Sequence, residues 1–359
     1  MTSKFYLSAA ISALACIATT ADALPFSDPR AERIEAMDAA GANQPRDPAC
    51  LANTFVSAGG QFPRNPHTLA LRWGGFANYE LVYNGKIILL DAYYDRGSYY
   101  QPLGVKAADL KRADVLLLGH GHSDHMSDGA AIGRQTGAPV IGAPVTTEKL
   151  MTQSLPARQI TTVTGKGGEV LRFDGFTVEP ILGRHSEADG RRAAQVIGPA
   201  INSLMPALTT AQKAEEAEIR SRGTTGPRVI PEGTIAFLIT LDSGFRIMFR
   251  DSAGAVTDYE KAAMARIGRV DLAIIAFRAS YLPALVAPQA LEFSRTYKPD
   301  VVMPAHHDAG PVQGHDGIWR STEPIFQVLK DENPELITVS RGYREPVCFN
   351  TDFNVSRRS

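Results

Sequence analysis

A chain of 359 residues, with 37 Lys and Arg against 38 Asp and Glu, is long enough to bury one large core or two small ones and carries a formal charge of −1. That near balance gives no electrostatic case for nucleic-acid binding, which favours concentrated basic surface, and no strong case for attraction to an anionic membrane. At 44% hydrophobic and 21% charged residues, the composition is that of a globular chain and not of a disordered or fibrous one.

Lys4 opens an apolar, alanine-rich run over residues 5–18, and Ala21-Asp22-Ala23 has the small-x-small pattern of a cleavage site. Residues 1–23 read as a secretory signal peptide, with the mature chain starting near Leu24 and exported to the periplasm or the medium. An uncleaved anchor and lipidation at Cys16 are the alternatives. The run is short for a spanning helix, so no stable membrane span is expected after cleavage. Cleavage leaves two cysteines, Cys50 and Cys348. In an oxidising compartment they can pair, and two free thiols is the other outcome, decided by a Cα separation that sequence does not give.

Residues 24–66 are rich in Ala, Pro, Asp and Arg and read as an extended arm with one short helix near 32–40. From 67 the pattern changes to short apolar runs bounded by Gly, Pro, Asn and Asp. Strands are predicted at 69–73, 79–83, 86–90, 115–118, 140–141, 170–173, 177–182, 234–241, 246–249, 272–276 and 301–303. Helices are predicted at 107–112, 127–136, 146–151, 258–267, 288–297 and 323–332. Asn84-Gly85 and Asp242-Ser243-Gly244 mark hairpin turns. The chain is therefore α/β with mixed or antiparallel sheets, a principal domain over 67–345 and a tail over 346–359. Residues 187–231 read as an insertion, in which Val196, Ile197, Ile201, Leu204, Met205 and Leu208 give helical spacings. Their apolar face would either pack on the core or lie as a lid over a lipid or acyl substrate.

Chemistry concentrates in one run. The apolar stretch 115–118 stops at Gly119 and is followed by His120, His122, Asp124 and His125, the pattern H-x-H-x-D-H. Imidazole and carboxylate donors together suit zinc, with manganese or iron as alternatives, and donors this closely spaced supply two neighbouring ions. Three later strands also end on a candidate donor: His185 after 177–182, Asp251 after 246–249 and His306 after 301–303. Strand ends on a rigid scaffold are where sites are commonly built. His306 is preferred to His307 because it directly follows Met303-Pro304-Ala305, which leaves His307 as a support or substrate contact. His67, His315, Asp128 and Asp308 read as structural, solvated or capping residues. Tyr93, Tyr94 and Tyr281 read either as packing residues or as hydrogen-bond donors to a substrate oxygen.

These residues, in this order over about 67–344, resemble the metallo-β-lactamase superfamily. The resemblance implies a four-layer αββα sandwich of two mixed sheets flanked by helices. It implies that His120, His122 and His185 hold one divalent ion, that Asp124, His125 and His306 hold a second, and that Asp251 bridges them. Asp91, ending the run 87–90, would support the ligand loop. Trp73-Gly74-Gly75, the hairpin into Asp91 and Met303-Pro304-Ala305-His306 are similar to the branch of ascorbate-6-phosphate lactonases and N-acylphosphatidylethanolamine phospholipases D, although Phe76 departs from that branch's pattern. The implied activity is hydrolysis by a metal-bridging hydroxide of an ester, lactone or related carbonyl compound, small or lipid-like, with Asp124 and Asp251 in the catalytic machinery. A phosphodiesterase or phospholipase D-like hydrolase is the alternative, and a non-catalytic or redox metal protein on the same fold is a third.

Overall fold

Side chains that alternate between the two faces of each strand decide which layers it joins. In β1 (Thr68–Trp73), Leu69, Leu71 and Trp73 enter one apolar cluster while Ala70 enters another. That period-two division is expected of a strand covered on both faces. β2 (Tyr79–Tyr83) and β3 (Lys86–Leu90) divide in the same way, with Leu81, Ile88 and Leu90 on the first side and Val82, Ile87 and Leu89 on the second. The computed structural model describes residues 47–186, 208–224, 233–277, 283–308 and 315–352. The signal peptide, the helix expected near 32–40, the apolar stretch 196–207 and Tyr281 lie outside the described residues.

Two seven-stranded sheets result. In the first, β1, β2 and β3 form an antiparallel meander, and β4 (Val115–Leu117), β5 (Val140–Gly142) and β6 (Ile160–Thr162) extend it in parallel. In the second, β7 (Leu171–Phe173), β8 (Phe176–Leu182), β9 (Ile235–Leu241) and β10 (Arg246–Arg250) run antiparallel. β11 (Leu272–Ala276), β12 (Val301–Ala305) and β13 (Ile337–Thr338) then continue that sheet in parallel. β14 (Pro346–Asn350) returns to the first sheet and pairs with β1.

The helices lie between these strands in sequence: α1 (Ser123–Met126), α2 (Gly129–Thr136), α3 (Pro144–Thr152), α4 (Thr210–Ser221), α5 (Asp258–Ile267), α6 (Pro283–Tyr297) and α7 (His315–Glu332). None of the described helices is long and apolar enough to cross a membrane. One core cluster fills the space between the sheets, drawing Leu71, Trp73, Leu117, Phe237, Ile247 and Met303 from both. A second joins the outer face of the first sheet to Met126, Ile132 and Leu150, and a third joins the outer face of the second sheet to Met264, Phe293 and Leu329. The order is helix, sheet, sheet, helix, the four-layer αββα sandwich.

Two regions depart from the sequence expectation. Residues 346–350 are not tail but the edge strand β14. The latter part of the arm is also integrated: Phe55 and Val56 are buried in the second cluster, and the buried Glu80 carboxylate accepts from Val56 N at 2.8 Å and Ser57 N at 2.7 Å. Cys50 and Cys348 form a disulfide with Cα atoms 5.9 Å apart, joining arm and edge strand. Both departures have one physical cause, since each segment is satisfied by a partner that is not its neighbour in the chain: β14 by β1 and by the cysteine 298 residues away, and the arm by Glu80, 23 and 24 residues on from Ser57 and Val56. Local patterning cannot show such a pairing. The run 160–162 likewise becomes β6 at the sheet's far edge although its burial is only partial.

Candidate metal centre

Topology aligns the strand ends. β3 and β4 are parallel, β8 and β10 share a direction because each is antiparallel to β9, and β12 follows β10 through two parallel pairings. Asp91, the 119–125 loop, His185, Asp251 and His306 follow the C-terminal ends of these strands and meet at one edge of the sandwich.

The ligand loop owes its shape to its glycines and to α1. A Cβ built on Gly119 would lie 2.2 Å from the Asp251 carboxylate, so only glycine lets β4 end this close to the second sheet. Gly119 also joins the halves through its backbone, accepting from Ile235 N at 2.7 Å and donating to Asp91 Oδ1 at 2.8 Å. His122 caps α1, which places Asp124 and His125 one turn onward, and His125 is almost wholly buried.

Three donor sets arise, each with ligand atoms within 4.8 Å of one another: His120, His122 and His185; His120, His125 and Asp251; Asp124, His125 and His306. His120 Nδ1 lies 2.5 Å and His125 Nδ1 3.3 Å from Asp251 Oδ2, His120 Nε2 lies 3.1 Å from His122 Nδ1, and His306 Nε2 lies 3.2 Å from Asp124 Oδ2. The His185 ring centroid is 4.7 Å from His120 and 4.6 Å from His122. The first set and the third set are the two trios implied by the resemblance, and Asp251 stands between them with His120 and His125. His307 is elsewhere, its ring stacked at 4.0 Å on Trp73, and it does not border the cavity.

The electrostatics suit cations. Burial, then the charge of Asp251, pushes Asp91 well above the usual aspartate range, and burial raises Asp251 as well. Burial and then His120 hold His125 well below the usual histidine range, so its imidazole stays neutral and able to donate a lone pair. Burial opposes ionisation of Asp124, but the imidazoles of His125, His306 and His122 outweigh it and hold its carboxyl well below normal. Asp251 Oδ1 is buried with no hydrogen-bond partner among the described residues. The neutral His125 imidazole, the crowded carboxylates and an orphaned carboxylate oxygen fit a divalent metal centre, which would satisfy them together.

Supports surround the donors. Asp91 Oδ2 is 2.7 Å from His125 Nδ1, fixing that ring while its other oxygen holds the loop. Arg250 bonds the Arg184 carbonyl at 3.0 Å and Glu260 at 2.8 Å, bracing the loops that carry His185 and Asp251. On the far side, the Phe76 carbonyl accepts from Trp73 Nε1 at 2.8 Å and from His306 N at 2.7 Å. Phe76, Asp91 and His306 all adopt left-handed backbone, with φ of 49°, 53° and 56°, a conformation that costs a residue with a Cβ about 1 kcal/mol and concentrates at functional sites.

Asp308 is not the solvated or capping residue expected from sequence, and Asp128 holds the N-cap position of α2 without its side chain capping the helix. Asp308 is buried and accepts from Phe76 N, Arg96 Nη1 and Tyr343 Oη at 2.7–2.9 Å. Asp128 is the residue that precedes α2, but its carboxylate instead accepts from Tyr94 N, Asp95 N and Arg222 Nη1. The signal missed in both cases is a partner distant in sequence. His67 is exposed and pairs with Asp352 at 3.0 Å.

The donors open into a cavity of about 340 Å³. Tyr93 borders it, whereas Tyr94 is buried in the outer core against Phe55. Sequence reasoning gave no place in the site to Phe76, Tyr99, Tyr100, Glu216, Ile219 or Arg220, which also border it. The adjacent Tyr99-Tyr100 and the i,i+4 pair Glu216–Arg220 were the only local signals of these walls.

Known proteins match parts of this chain. The family profile described as the β-lactamase superfamily domain matches residues 86–210. A metal-dependent hydrolase of Thermoplasma volcanium is 30% identical over 131 residues, 36% of this chain and 54% of its own length. Another from Polynucleobacter asymbioticus is 24% identical over 277 residues, 76% of this chain and 84% of its own. The chain thus spans about half the length of the Thermoplasma relatives it matches. Among solved structures, the metallo hydrolase Igni18 of Ignicoccus hospitalis superposes with a TM-score of 0.52 at 15% identity, over 79% of this chain and 98% of that one. The diiron β-hydroxylase CmlA of Streptomyces venezuelae gives 0.51 at 15%, over 80% of this chain and 55% of that one. At these identities the two structures attest the fold.

Proposed function

We propose, since the chain belongs to the metallo-β-lactamase superfamily, that it is a metal-dependent hydrolase holding two divalent ions, zinc first among the candidates, and acting on an ester, lactone or related carbonyl compound. The observation that carries this is the overlap of the three donor sets, which share His120 and His125 and so form one continuous centre. The curated relatives named above as metal-dependent hydrolases support the activity.

His120, His122 and His185 would hold one ion, Asp124, His125 and His306 the other, with Asp251 between. Bound there, the ions would polarise a substrate oxygen and lower the pKa of water to about 7. The chain's own residues do the rest. Asp124, whose carboxyl stays ionised and partly exposed at the cavity, can take a proton and return it to the leaving group. Tyr93 and Tyr100, pushed above the usual tyrosine range first by burial, keep their hydroxyl protons and border the cavity as donors to a substrate oxygen. Phe76 and Ile219 limit water on the same wall.

Export belongs to the same proposal. It is supported by the Cys50–Cys348 bridge, of a kind that persists in oxidising compartments, and N-terminal sequencing of the purified chain should read from near Leu24. The activity is tested by offering metal-loaded protein a matched lactone and phosphodiester, then repeating after chelation. Chelator-sensitive lactone turnover is expected. Turnover of the phosphodiester alone would transfer the assignment to phosphorus chemistry, and activity surviving full metal removal would overturn it.

A further inference from the structure

We infer that Arg220, carried by α4, is the recognition residue for a carboxylate on the substrate, so that the cavity selects small molecules bearing such an anion beside the cleaved bond. The word substrate rests on the hydrolase reading, and the docking of an anion at Arg220 does not.

α4 is spliced into the ligand loop and does not lie loosely over it. Its start is closed by a capping box, in which Thr209 accepts from Gln212 N. Beyond its end, Arg222 bonds the buried Asp128 at 2.7 Å, and Thr224 donates to the Gly121 carbonyl through both N, at 2.6 Å, and Oγ1, at 2.8 Å. Between them Gly223 approaches so closely that an added Cβ would lie 2.3 Å from Ser123 N. On the other flank Glu215 accepts from Ser98 N and Oγ at 2.9 and 2.6 Å. A helix anchored on both flanks holds its side chains at fixed places over the donors.

Among the described residues bordering the cavity, Arg220 is the one side chain with a permanent positive charge. Glu216 engages only part of it. Arg220 directs Nε and Nη2 at the single oxygen Oε1, which leaves Nη1 without a partner among the described residues. The side chain is 67% exposed, so an incoming anion can reach it. The negative charge of Asp124 acts on the same guanidinium, which places Arg220 within electrostatic reach of the donor cluster. The apolar part of the lining is Phe76, Tyr93, Tyr100 and Ile219, with Tyr93 and Tyr100 meeting the Phe76 ring edge to face. A volume of about 340 Å³ sits at the small end of ligand pockets and suits a short body better than a long acyl chain.

The test is calorimetric binding of terephthalate and benzoate to the metal-loaded protein. Each probe offers one carboxylate to the donors, and terephthalate has a second for Arg220. The terephthalate-to-benzoate affinity ratio is expected to fall about fivefold in Arg220→Ala, the scale of a largely exposed charge-assisted contact, and to shrink with added salt. Glu216→Gln, which removes the competing carboxylate, is expected to raise the ratio. A ratio unchanged by Arg220→Ala, or a wild-type chain that binds neither probe, overturns the assignment. Neither readout requires turnover, so a failure of the hydrolase reading would show separately as absent lactone hydrolysis.

Discussion

The two sheets are built alike and contribute to the centre differently. Each runs three antiparallel pairings into three parallel ones. The first sheet delivers His120, His122, Asp124 and His125 from one loop after β4, whereas the second delivers His185, Asp251 and His306 singly, from the ends of β8, β10 and β12. A compact loop concentrates donors through local geometry. Dispersed donors depend on the sheet bringing three strand ends together, and each therefore needs its own brace. Asp91 braces the loop, Arg250 the His185 and Asp251 positions, and the Trp73–Phe76–Asp308 contacts the His306 position.

The sharpest way to break this comparison is to remove the residue that joins the halves. Asp251→Asn should lower kcat/KM for the lactone by on the order of 10³-fold, because the carboxylate that would serve both proposed ions is lost. A loss under tenfold, in steady-state kinetics on metal-loaded protein, would show that the halves work independently.

Next in size is the brace of the second half. Asp308→Ala leaves the buried Arg96 without its carboxylate partner, and breaking a buried pair costs about 3–5 kcal/mol. Urea unfolding should show that loss, and a change below about 1 kcal/mol would mean that Phe76 and His306 are held by other contacts. The brace of the first half acts on affinity more than on stability. Asp91→Asn keeps the shape of the side chain but weakens its hold on His125, and metal affinity should fall about 10–100-fold, as read by competition with a chromogenic chelator. Unchanged affinity would remove Asp91 from the account.

What was legible in the sequence follows the same division. The H-x-H-x-D-H run could be read at once because its donors are adjacent, and the strands around it because their apolar runs are short and bounded by turn residues. α5 was expected at 258–267 and is found there, where Thr257 and Glu260 form a capping box. His185 and His306 were legible only by their place after a strand. The walls of the cavity were not legible, since Tyr99, Tyr100 and Arg220 owe their positions to the docking of α4 on the ligand loop. Nor were the burial of Asp128 and Asp308 or the pairing of β14, each of which depends on contacts far apart in the chain.

The smallest expected effect concerns the α4 anchor. Burial, against opposing hydrogen bonds and Arg222, lifts the Asp128 carboxyl to about 6, while in the unfolded chain it titrates near 4. Between those values the folded chain keeps a proton that the unfolded chain releases, so this contribution to stability is present below about pH 4 and is lost as pH rises through about 6. Relative to Asp128→Asn, the wild-type chain should lose on the order of 2 kcal/mol between pH 4 and pH 7 in metal-free urea titrations. An identical difference at the two pH values would mean that folding leaves the Asp128 carboxyl unshifted.

The central claim, two divalent ions shared between the two halves, is tested most directly by metal content. Chelated protein is titrated with zinc, freed of excess and analysed by plasma mass spectrometry. The account predicts two zinc ions per chain in the wild-type protein and fewer in Asp251→Asn. One ion per chain in both proteins would contradict it.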